Sequence, residues 1–577
     1  DDRNPMLSNS YNFKREYATR SFNTVYASFD IWKGIKFAST FSYDFVMNKS
    51  RAWKDPRTSD GDDDNGRFSK DYNDITNMTW SNILTYQTKI KKKHNLDLLA
   101  GYEINSKESD GLGTTISNFA RWDKPEVNNG VVYQSMGGSN STTRIVSYIT
   151  RANYDYDNKY YLGASWRTDG SSRLARENRW GNFWSLSGAW RVSSESFMKP
   201  LQNWLSDLKL RVSYGVNGTL PSSYYGYMGL SSLTSNYNDN PGITQSQLEN
   251  KELTWETNYN FNSGIDLGFF DNRLNVTFEY YVRTTKNLLY SRPLSLATGF
   301  SSYLANIGKL QNKGYELEIR STNIETKDFR WSTSLNLGHN ANKILKLDGD
   351  LKQVTSGTSI HKVGLPYSTY YMIEFAGIDP VDGEPMFYKN TTDENGNLNK
   401  ETTKDPRSAE KVILQCADPT ITGGLGNSIS YKWFDLNFNV NFSFGAWNYD
   451  GAAGKLEHGG DGTLNIPIYY RKRWQKEGNE TSIERFVVGR SISMTDYATT
   501  RRLYSGDYVR LKNLTFGFTL PKTWTRKVGI DNIRLYASGN NLLTWAAYDY
   551  IDPESGSSPS WDTPPMRTYT FGLEVKF

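Results

Sequence analysis

The chain has little cysteine and histidine, and this shortage excludes several kinds of site. Its 577 residues include a single cysteine, Cys416, which cannot form a disulfide within the chain or build a thiolate-rich metal site. None of the histidines has a second histidine or cysteine nearby at the spacing of zinc ligands. They are His94, His339, His361 and His458. No Gly-x-Ser-x-Gly nucleophile motif is present, so we predict no catalytic residue and no enzyme activity.

Long apolar runs, linkers and an excess of one charge are missing too. Apolar runs such as Leu98-Leu99-Ala100 are very short, whereas a helix that crosses a bilayer needs about 20 apolar residues. A helical membrane protein is therefore excluded. The 67 basic and 62 acidic residues are interspersed and give a net charge of +5, which gives little support for nucleic-acid binding. Because no Pro-rich or Ser-rich stretch divides the chain, we expect residues 1–577 to form part of a single domain.

The chain is rich in strict alternation between apolar and polar residues. In residues 434–444 every second side chain is apolar, and those between are Asp, Asn or Ser. A period of two predicts a strand with one apolar and one polar face. The same pattern predicts about seventeen strands along the chain. The tracts are 22–30, 35–46, 77–90, 94–105, 143–156, 159–168, 181–191, 206–215, 255–268, 274–289, 312–322, 328–341, 422–432, 434–446, 508–519, 532–541 and 568–577.

The length and connection of these tracts indicate a membrane protein. Most exceed the usual strand of about 5 to 6 residues, and a tilted strand of about 9 to 11 residues crosses a bilayer. Short connections such as 91–93 alternate with long ones such as 342–421 and 447–507. A closed barrel in lipid leaves no unpaired strand edge and has short periplasmic turns and long extracellular loops. We therefore predict an all-β fold, a transmembrane antiparallel β-barrel.

Two further features agree with a barrel. Several aromatic residues stand beside the predicted short turns, as in an interfacial girdle. They are Trp32, Phe269, Phe270, Trp331, Trp433 and Trp524. The last ten residues, "TYTFGLEVKF", alternate so that Tyr569, Phe571 and Leu573 would face lipid while Glu574 would face the lumen. Since bacterial barrels have an even number of strands, the odd number of tracts predicts at least one strand upstream of the first residue.

Several segments resemble the C-terminal barrel of SusC/RagA-like TonB-dependent transporters. They are "NKELTWETNYNFNSGIDLGFFDNRLNVTFEYYVRTTKNLL" at 250–289, "NIGKLQNKGYELEI" at 306–319, "YVRLKNLTFGFTLP" at 508–521, "IRLYASGNNLLTWAAYDYIDPE" at 533–554 and the terminal "TYTFGLEVKF". The resemblance covers nearly the whole chain. It implies a barrel of about 22 strands, so that about five strands and an N-terminal plug would precede the first residue.

The resemblance also implies a function. Members of this family lie in the bacterial outer membrane, receive energy through TonB, and work with a SusD-like surface lipoprotein that closes over the barrel as a lid. Their cargo is usually an oligosaccharide and sometimes a peptide. We therefore expect an importer of glycans, with outer-membrane lipid, the TonB complex and the lid as partners. Alternatives are an importer of peptides or of chelated metals such as siderophores or vitamins, and a passive barrel or adhesin without energy coupling.

Aromatic residues in the long connections are the candidate binding residues, because flat rings pack against sugar rings while Asn and Asp donate or accept directed hydrogen bonds. They are Tyr224, Tyr225, Tyr227, Trp447, Tyr449, Tyr469, Tyr470, Trp474, Trp545, Tyr548, Tyr550 and Trp561. Trp447 and Tyr449 directly follow the asparagine-lined strand 434–446, so we expect them at the rim of the lumen. Asn439 and Asn441 on that strand are predicted to bind the cargo with them. Trp545 and Tyr548 complete the predicted site. The alternative is that the rings hold the loops together or contact the lid.

Two other loop segments have weaker patterns. The acidic runs at 60–66 and 393–397 offer oxygen ligands for calcium, but neither keeps the spacing of a calcium-binding loop. We expect solvated turns there and predict no cofactor. Residues 363–388 contain two short β-like runs around 379–383, which predicts an ordered extracellular hairpin that forms part of the seat for the lid.

Overall fold

The structure is a computed structural model. It describes residues 5–233, 235–238, 240–347, 349, 351–394, 396–460, 466–489, 497–555 and 564–577. Trp561 therefore lies outside the described residues. The chain divides into two compact units. Unit 1 comprises Asp1–Gly188, Ser213–Tyr259 and Thr285–Gly308, and unit 2 comprises Ala189–Val212, Asn260–Thr284 and Lys309–Phe577.

Each predicted tract coincides with one long strand. We number these strands β1 to β17 in chain order. They are β1 Phe13–Trp32, β2 Ile35–Lys54, β3 Arg67–Ile90, β4 His94–Phe119, β5 Gly130–Tyr156, β6 Tyr160–Ser171, β7 Trp180–Arg191, β8 Leu205–Thr219, β9 Glu256–Phe269, β10 Leu274–Lys286, β11 Lys309–Glu325, β12 Phe329–Lys346, β13 Ile421–Tyr431, β14 Phe434–Phe444, β15 Tyr508–Thr519, β16 Asn532–Ala546 and β17 Thr568–Lys576.

In unit 1, β1 to β6 form an antiparallel meander in which each strand pairs with the next. The gaps between the predicted tracts, at 47–76 and 106–142, predict long loops, and this prediction is wrong because the loops are shorter. Strands β2 to β5 continue well into these gaps, leaving connections of residues 55–66 and 120–129. The alternation of apolar and polar residues is lost there, because neither face of the strand lies against a continuous apolar layer. The strands continue nevertheless, because their pairing needs only backbone N–H and C=O groups. Trp53, Phe68, Ile116 and Phe119 form a buried cluster at these extended ends.

In unit 2, β11 to β17 form a second antiparallel series, again with each strand paired to the next. The register separates the two faces as the sequence predicts. On one face Leu535 lies opposite Leu573, and on the other Arg534 lies opposite Glu574. The apolar residues of β17 are strongly exposed, with Phe571 at 83%. An apolar face that protein does not cover is what a strand in contact with lipid presents.

The long connections contain ordered structure of their own. Their short strands are Leu230–Ser232, Thr244–Gln247, Leu289–Pro293, Ser302–Asn306, Gln353–Ser356, Ser359–Lys362, Thr369–Ile373, Phe375–Ile378, Pro385–Tyr388, Thr402–Thr403, Lys411–Cys416, Trp447–Tyr449 and Leu503–Ser505. The α-helices are α1 Pro5–Tyr11, α2 Gly451–Leu456 and α3 Lys522–Thr525. No helix in the described part of the chain is long and apolar enough to cross a membrane.

The 3-10 helices are single short turns in the connections. They are Val127–Asn129, Arg176–Asn178, Val192–Ser194, Ser196–Leu201, Leu296–Thr298, Pro406–Ser408, Ile468–Lys472, Thr500–Arg502, Arg526–Val528 and Pro553–Ser555. The predicted hairpin within 363–388 is confirmed. Strand Phe375–Ile378 pairs antiparallel with Pro385–Tyr388, and the turn between them is closed by the amide of Asp379, which donates to the Glu384 carbonyl at 2.9 Å.

Candidate binding site

The polar face of β14 carries the predicted asparagines in a row. Asn439 lies opposite Gly426 on β13 and Asn513 on β15, while Asn441 lies opposite Gly424 and Arg510. The glycines bring no side chain to this face, so the asparagine amides stand over a shallow surface. Asn439 also lines a cavity of about 340 Å³. Most other lining groups are hydroxyls and amides, among them Ser332, Ser334, Ser428 and Asn437.

Trp447 and Tyr449 lie in the packing of the loops. Their short strand pairs with Leu503–Ser505, and both rings pack against the cluster of Tyr370, Met372 and Leu503. The Tyr370 hydroxyl donates to the Trp447 carbonyl and accepts from the Tyr449 amide, both at 3.2 Å. Burial raises the pKa of the Tyr449 phenol. This arrangement is the loop-holding role that the sequence left open as the alternative.

Trp545 lies on the apolar face of the strands. It pairs with Val509, which in turn pairs with Phe442 on β14, and 59% of Trp545 is exposed. Its neighbour Thr544 instead lies opposite Arg510 on the polar face. The register therefore separates Trp545 from the polar groups with which the sequence grouped it.

Tyr548 lines a pocket in the loops with a volume of about 760 Å³. The pocket combines the ends of β15 and β16 with the segments that follow β14 and β16. Three tyrosine rings and three carboxylates stand in the wall among aliphatic side chains. Its lining residues are Asp450, Ala452, Ala453, Leu456, Pro467, Tyr469, Arg510, Thr544, Ala546, Tyr548, Asp549, Tyr550, Ile551, Asp552, Pro553, Ser555, Pro564 and Pro565. We call this the tyrosine pocket.

Three tyrosine rings of the tyrosine pocket are neighbours, and Tyr550 contacts both of the others. The Tyr550 ring lies 5.3 Å from Tyr548 and 5.5 Å from Tyr469, both inclined. Outside the pocket, Tyr504 stacks on Tyr548 with ring centres 3.8 Å apart, which leaves the other face of Tyr548 for the cavity that it lines. Inclined rings present both edges and faces, so this wall offers apolar and π surfaces to a ligand.

Asp450 fixes the position of Tyr548. The Tyr548 hydroxyl donates to Asp450 Oδ2 at 2.9 Å, while Asp450 Oδ1 accepts the Ala453 amide at 2.8 Å as the N-cap of α2. Only 3% of Asp450 is exposed. Desolvation raises the pKa of Tyr548, and its neighbours Tyr504 and Asp450 raise it further. The phenol is therefore protonated and remains a donor to the carboxylate.

Buried ion pairs support the pocket from behind. Arg502, 2% exposed, donates from Nε to Glu457 Oε2 at 3.3 Å. Arg501 Nη1 lies 2.5 Å from Glu484 Oε2, and Glu484 is fully buried. Glu457 also accepts the hydroxyl of Tyr469 at 2.5 Å. Since each buried charge has an opposite charge beside it, the segment is held in one arrangement despite having little regular structure.

Arg510 ties the strand end to the final loop. Its Nη1 lies 2.7 Å from Glu554, its Nη2 lies 2.5 Å from Asp552, and its Nε donates to Thr544 at 3.0 Å. The side chain is 3% exposed. Arg510 therefore uses its donors within the protein, and it fixes the segment that carries Tyr550.

Sequence reasoning missed the charged members of the tyrosine pocket. Asp450, Arg510 and Asp552 stand far apart in the chain, and although Arg510 and Asp552 lie in the segments 508–521 and 533–554 that resemble the family, nothing in those segments marks them as pocket residues. Tyr469 and Tyr550 are among the predicted loop aromatics. The acidic run at 60–66 forms a turn, beside which Asp64 pairs with Arg67. Within the described residues no group of three or more His, Cys, Asp or Glu side chains is placed to hold a metal ion.

Comparison with known proteins identifies the relatives of this chain. Residues 1–542 match the family model described as TonB dependent receptor-like, beta-barrel. TonB-dependent receptor P3 of Formosa agariphila is 32% identical over 593 residues, which cover 96% of this chain and 57% of that protein. TonB-dependent receptor SusC of Bacteroides thetaiotaomicron is 30% identical over 461 residues, which cover 75% of this chain and 44% of SusC.

A solved structure shares the fold. The RagAB peptide transporter superposes with a TM-score of 0.89 at 26% identity, over 99% of this chain and 63% of that chain. The chain thus spans less than two thirds of the length of each of these proteins. These likenesses confirm the predicted resemblance and the predicted fold class, a transmembrane antiparallel β-barrel.

Proposed function

The chain belongs to the TonB dependent receptor-like β-barrel family, and from this premise we propose that it serves in a SusC-type nutrient importer of the bacterial outer membrane. The cargo is an oligosaccharide, transport is powered through TonB, and a SusD-like surface lipoprotein acts as the partner. The family match over residues 1–542 carries this proposal. The exposed apolar faces of the long strands and the amide-rich face of β14 support it, since one suits lipid and the other suits a hydrated cargo.

Within this function we assign different roles to the predicted site residues. Asn439, Asn441 and Tyr548 contact the cargo, because the amides lie on the polar face and the tyrosine lines a pocket. Trp447 and Tyr449 shape the loops through the cluster around Met372. Trp545 anchors the strand end on the apolar face.

Uptake by the full-length protein in its native host tests the proposal. Deleting the gene should abolish uptake of a labelled oligosaccharide that the host grows on, and disabling TonB should do the same while leaving uptake of the free monosaccharide unchanged. The purified full-length protein should also be electrically quiet in a planar bilayer, because a plugged barrel does not conduct. Uptake that persists without TonB, together with steady conductance, would show a passive barrel instead.

Peptide import is the second candidate. The observation that favours it is the likeness to the RagAB peptide transporter along 99% of this chain. The same host strains, supplied with a labelled oligopeptide in place of the oligosaccharide, separate the two candidates. A labelled ferric siderophore in a third arm covers the chelated-metal alternative.

A further inference from the structure

The described lining of the tyrosine pocket carries more acidic than basic side chains, and this excess indicates the chemistry of its ligand. Its described lining includes three carboxylates, from Asp450, Asp549 and Asp552, and one cation, Arg510. The guanidinium is already engaged by Asp552 and Glu554. It therefore offers little to an anionic ligand, and the pocket as a whole keeps a negative charge.

Asp549 is the carboxylate available to a ligand. It is exposed and forms no ion pair with any described residue, and it stands between Tyr548 and Tyr550 in the chain. Tyr550 is 69% exposed, so the ring and the carboxylate are both accessible. A tyrosine face attracts a cation through its negative π surface, and a neighbouring carboxylate adds a charge-assisted hydrogen bond.

We propose that the tyrosine pocket binds a primary ammonium group carried by the imported molecule, held against the tyrosine faces and beside Asp549. This inference rests on the proposed import function and specifies which part of the cargo is recognised. A neutral sugar would stack on the rings without an ionic contact, whereas an ammonium group can contact both a ring face and the Asp549 carboxylate. The amine belongs either to a hexosamine or to a peptide, and the two sources are separable.

The test uses matched pairs that differ only in acetylation of the amine. Binding of a glucosamine hexamer and of its fully N-acetylated form, and of a tri-lysine peptide and of its fully acetylated form, is measured by calorimetry on the purified full-length transporter. We expect the amine member of at least one pair to bind about tenfold more tightly than its acetylated partner, as a cation–π contact together with a charge-assisted hydrogen bond allows. The pair that shows the preference identifies the source of the amine. Equal affinities in both pairs, or no binding of either amine, would overturn the proposal.

Substitutions in the tyrosine pocket test whether this pocket causes the preference for the amine over its acetylated partner. Asp549→Asn keeps the size of an exposed side chain and should remove most of the amine preference while leaving affinity for the acetylated partner unchanged. Tyr550→Phe should keep the preference, because the ring face remains, and Tyr550→Leu should reduce it. Asp271→Asn, at an exposed carboxylate in the turn after β9 that does not line the pocket, is the matched control and should behave as the wild type. An Asp549→Asn protein with an intact amine preference would refute the assignment.

Failure of this inference is distinguishable from failure of the import function. If gene deletion and loss of TonB abolish uptake but acetylation has no effect on binding, the importer stands and the amine site falls. If uptake is independent of TonB while the amine preference remains, the pocket stands and the transport proposal falls.

Discussion

The polar face of β12 to β16 and the tyrosine pocket, both within unit 2, are organised by different forces. On the strands, neutral groups bond to one another, as between Asn513 and Asn540 at 2.9 Å, and the ion pair of Arg534 with Asp435 stays partly exposed. In the loops, complete charges are buried, as in Arg502 with Glu457. A strand face has its backbone geometry set by the ladder, so its side chains need only be polar. The loops lack such a ladder, and their geometry depends on particular side-chain pairs.

The largest predicted effect comes from removing one of the buried charged side chains that hold the loops. Arg502→Met removes the closer of the two guanidinium groups beside the buried Glu457 and leaves that carboxylate with Arg501 Nε at 3.7 Å. We expect the loop segment to lose about 3 kcal/mol of local stability, because a charged hydrogen bond is lost at a buried site. Limited proteolysis of the intact folded protein should then show rapid cleavage within residues 450–505, with the strands still protected. Arg407→Met, which breaks an exposed pair with Asp405, is the control. Equal cleavage of both variants would show that buried pairs do not hold the loop.

A smaller effect is expected on the strands. Gly517 on β15 leaves room for the ion pair of Arg534 and Asp435, whose closest atoms lie 2.8 Å apart. A Cβ at this position would lie 2.3 Å from Asp435 Oδ1 and 2.7 Å from Arg534 Nη2. Gly517→Ala should therefore displace the pair and cost about 1 to 3 kcal/mol, measured as a lower unfolding temperature in detergent.

The control for that substitution is Gly338→Ala on β12. A Cβ there meets only Thr422 Oγ1, at 3.6 Å, so the unfolding temperature should stay at the wild-type value. A loss of stability as large as that of Gly517→Ala would mean that the ion pair is not the cause, and that any side chain on this face destabilises the strands.

The smallest effect concerns an exposed charge cluster in the loop hairpin. Lys404 bonds to Asp379 and Asp382 and is the main reason that the pKa of each carboxyl is lowered. A lowered carboxyl pKa stabilises the folded hairpin above the ordinary carboxyl value near pH 4, and the contribution is lost as the pH falls below it. We expect hydrogen-exchange protection of residues 375–388, corrected for intrinsic rates, to weaken as the pH falls below about 4.

Lys404→Met provides the comparison for the pH effect. Without the ammonium group, protection of the hairpin should be somewhat lower at neutral pH and should change little on acidification. A Lys404→Met protein with the wild-type pH dependence would assign the effect to other groups, such as the backbone amides of Val381 and Glu384 that also bond to these carboxylates.

The long strands were predictable from the sequence, because the alternation of apolar and polar residues has a single physical cause. All seventeen long strands coincide with predicted tracts, because alternation on a membrane strand reflects two different solvents on its two faces. Strand ends were less predictable. β5 begins at Gly130, well before the predicted start at residue 143, because outside the apolar layer the ladder continues without a side-chain signal.

The candidate site was predictable only in part. Its aromatic ring and its place after a strand predict Tyr548 as a binding residue, and Tyr548 lines the tyrosine pocket. Trp545 has the same type and nearly the same place, yet it lies on the apolar face. β16 runs to Ala546, past the predicted strand end at 541, so Trp545 keeps the alternation of Leu535 on the apolar face. The irregular pairing of β15 with β16 changes the face of Arg510 on β15 instead: Arg510 joins Asn513 on the polar face although the two are three residues apart, which alternation alone does not reveal.

The sequence by itself determined the class of the protein. The absence of apolar helices, the alternation and the spacing of the tracts are properties of neighbouring residues, and each follows from a short stretch of chain. The tertiary structure decided the binding pocket. Asp450, Tyr469, Arg510 and Tyr548 are separated by up to 98 positions, and they meet because three strand ends and their loops converge. Their contacts depend on chain path and strand register, which the whole fold sets.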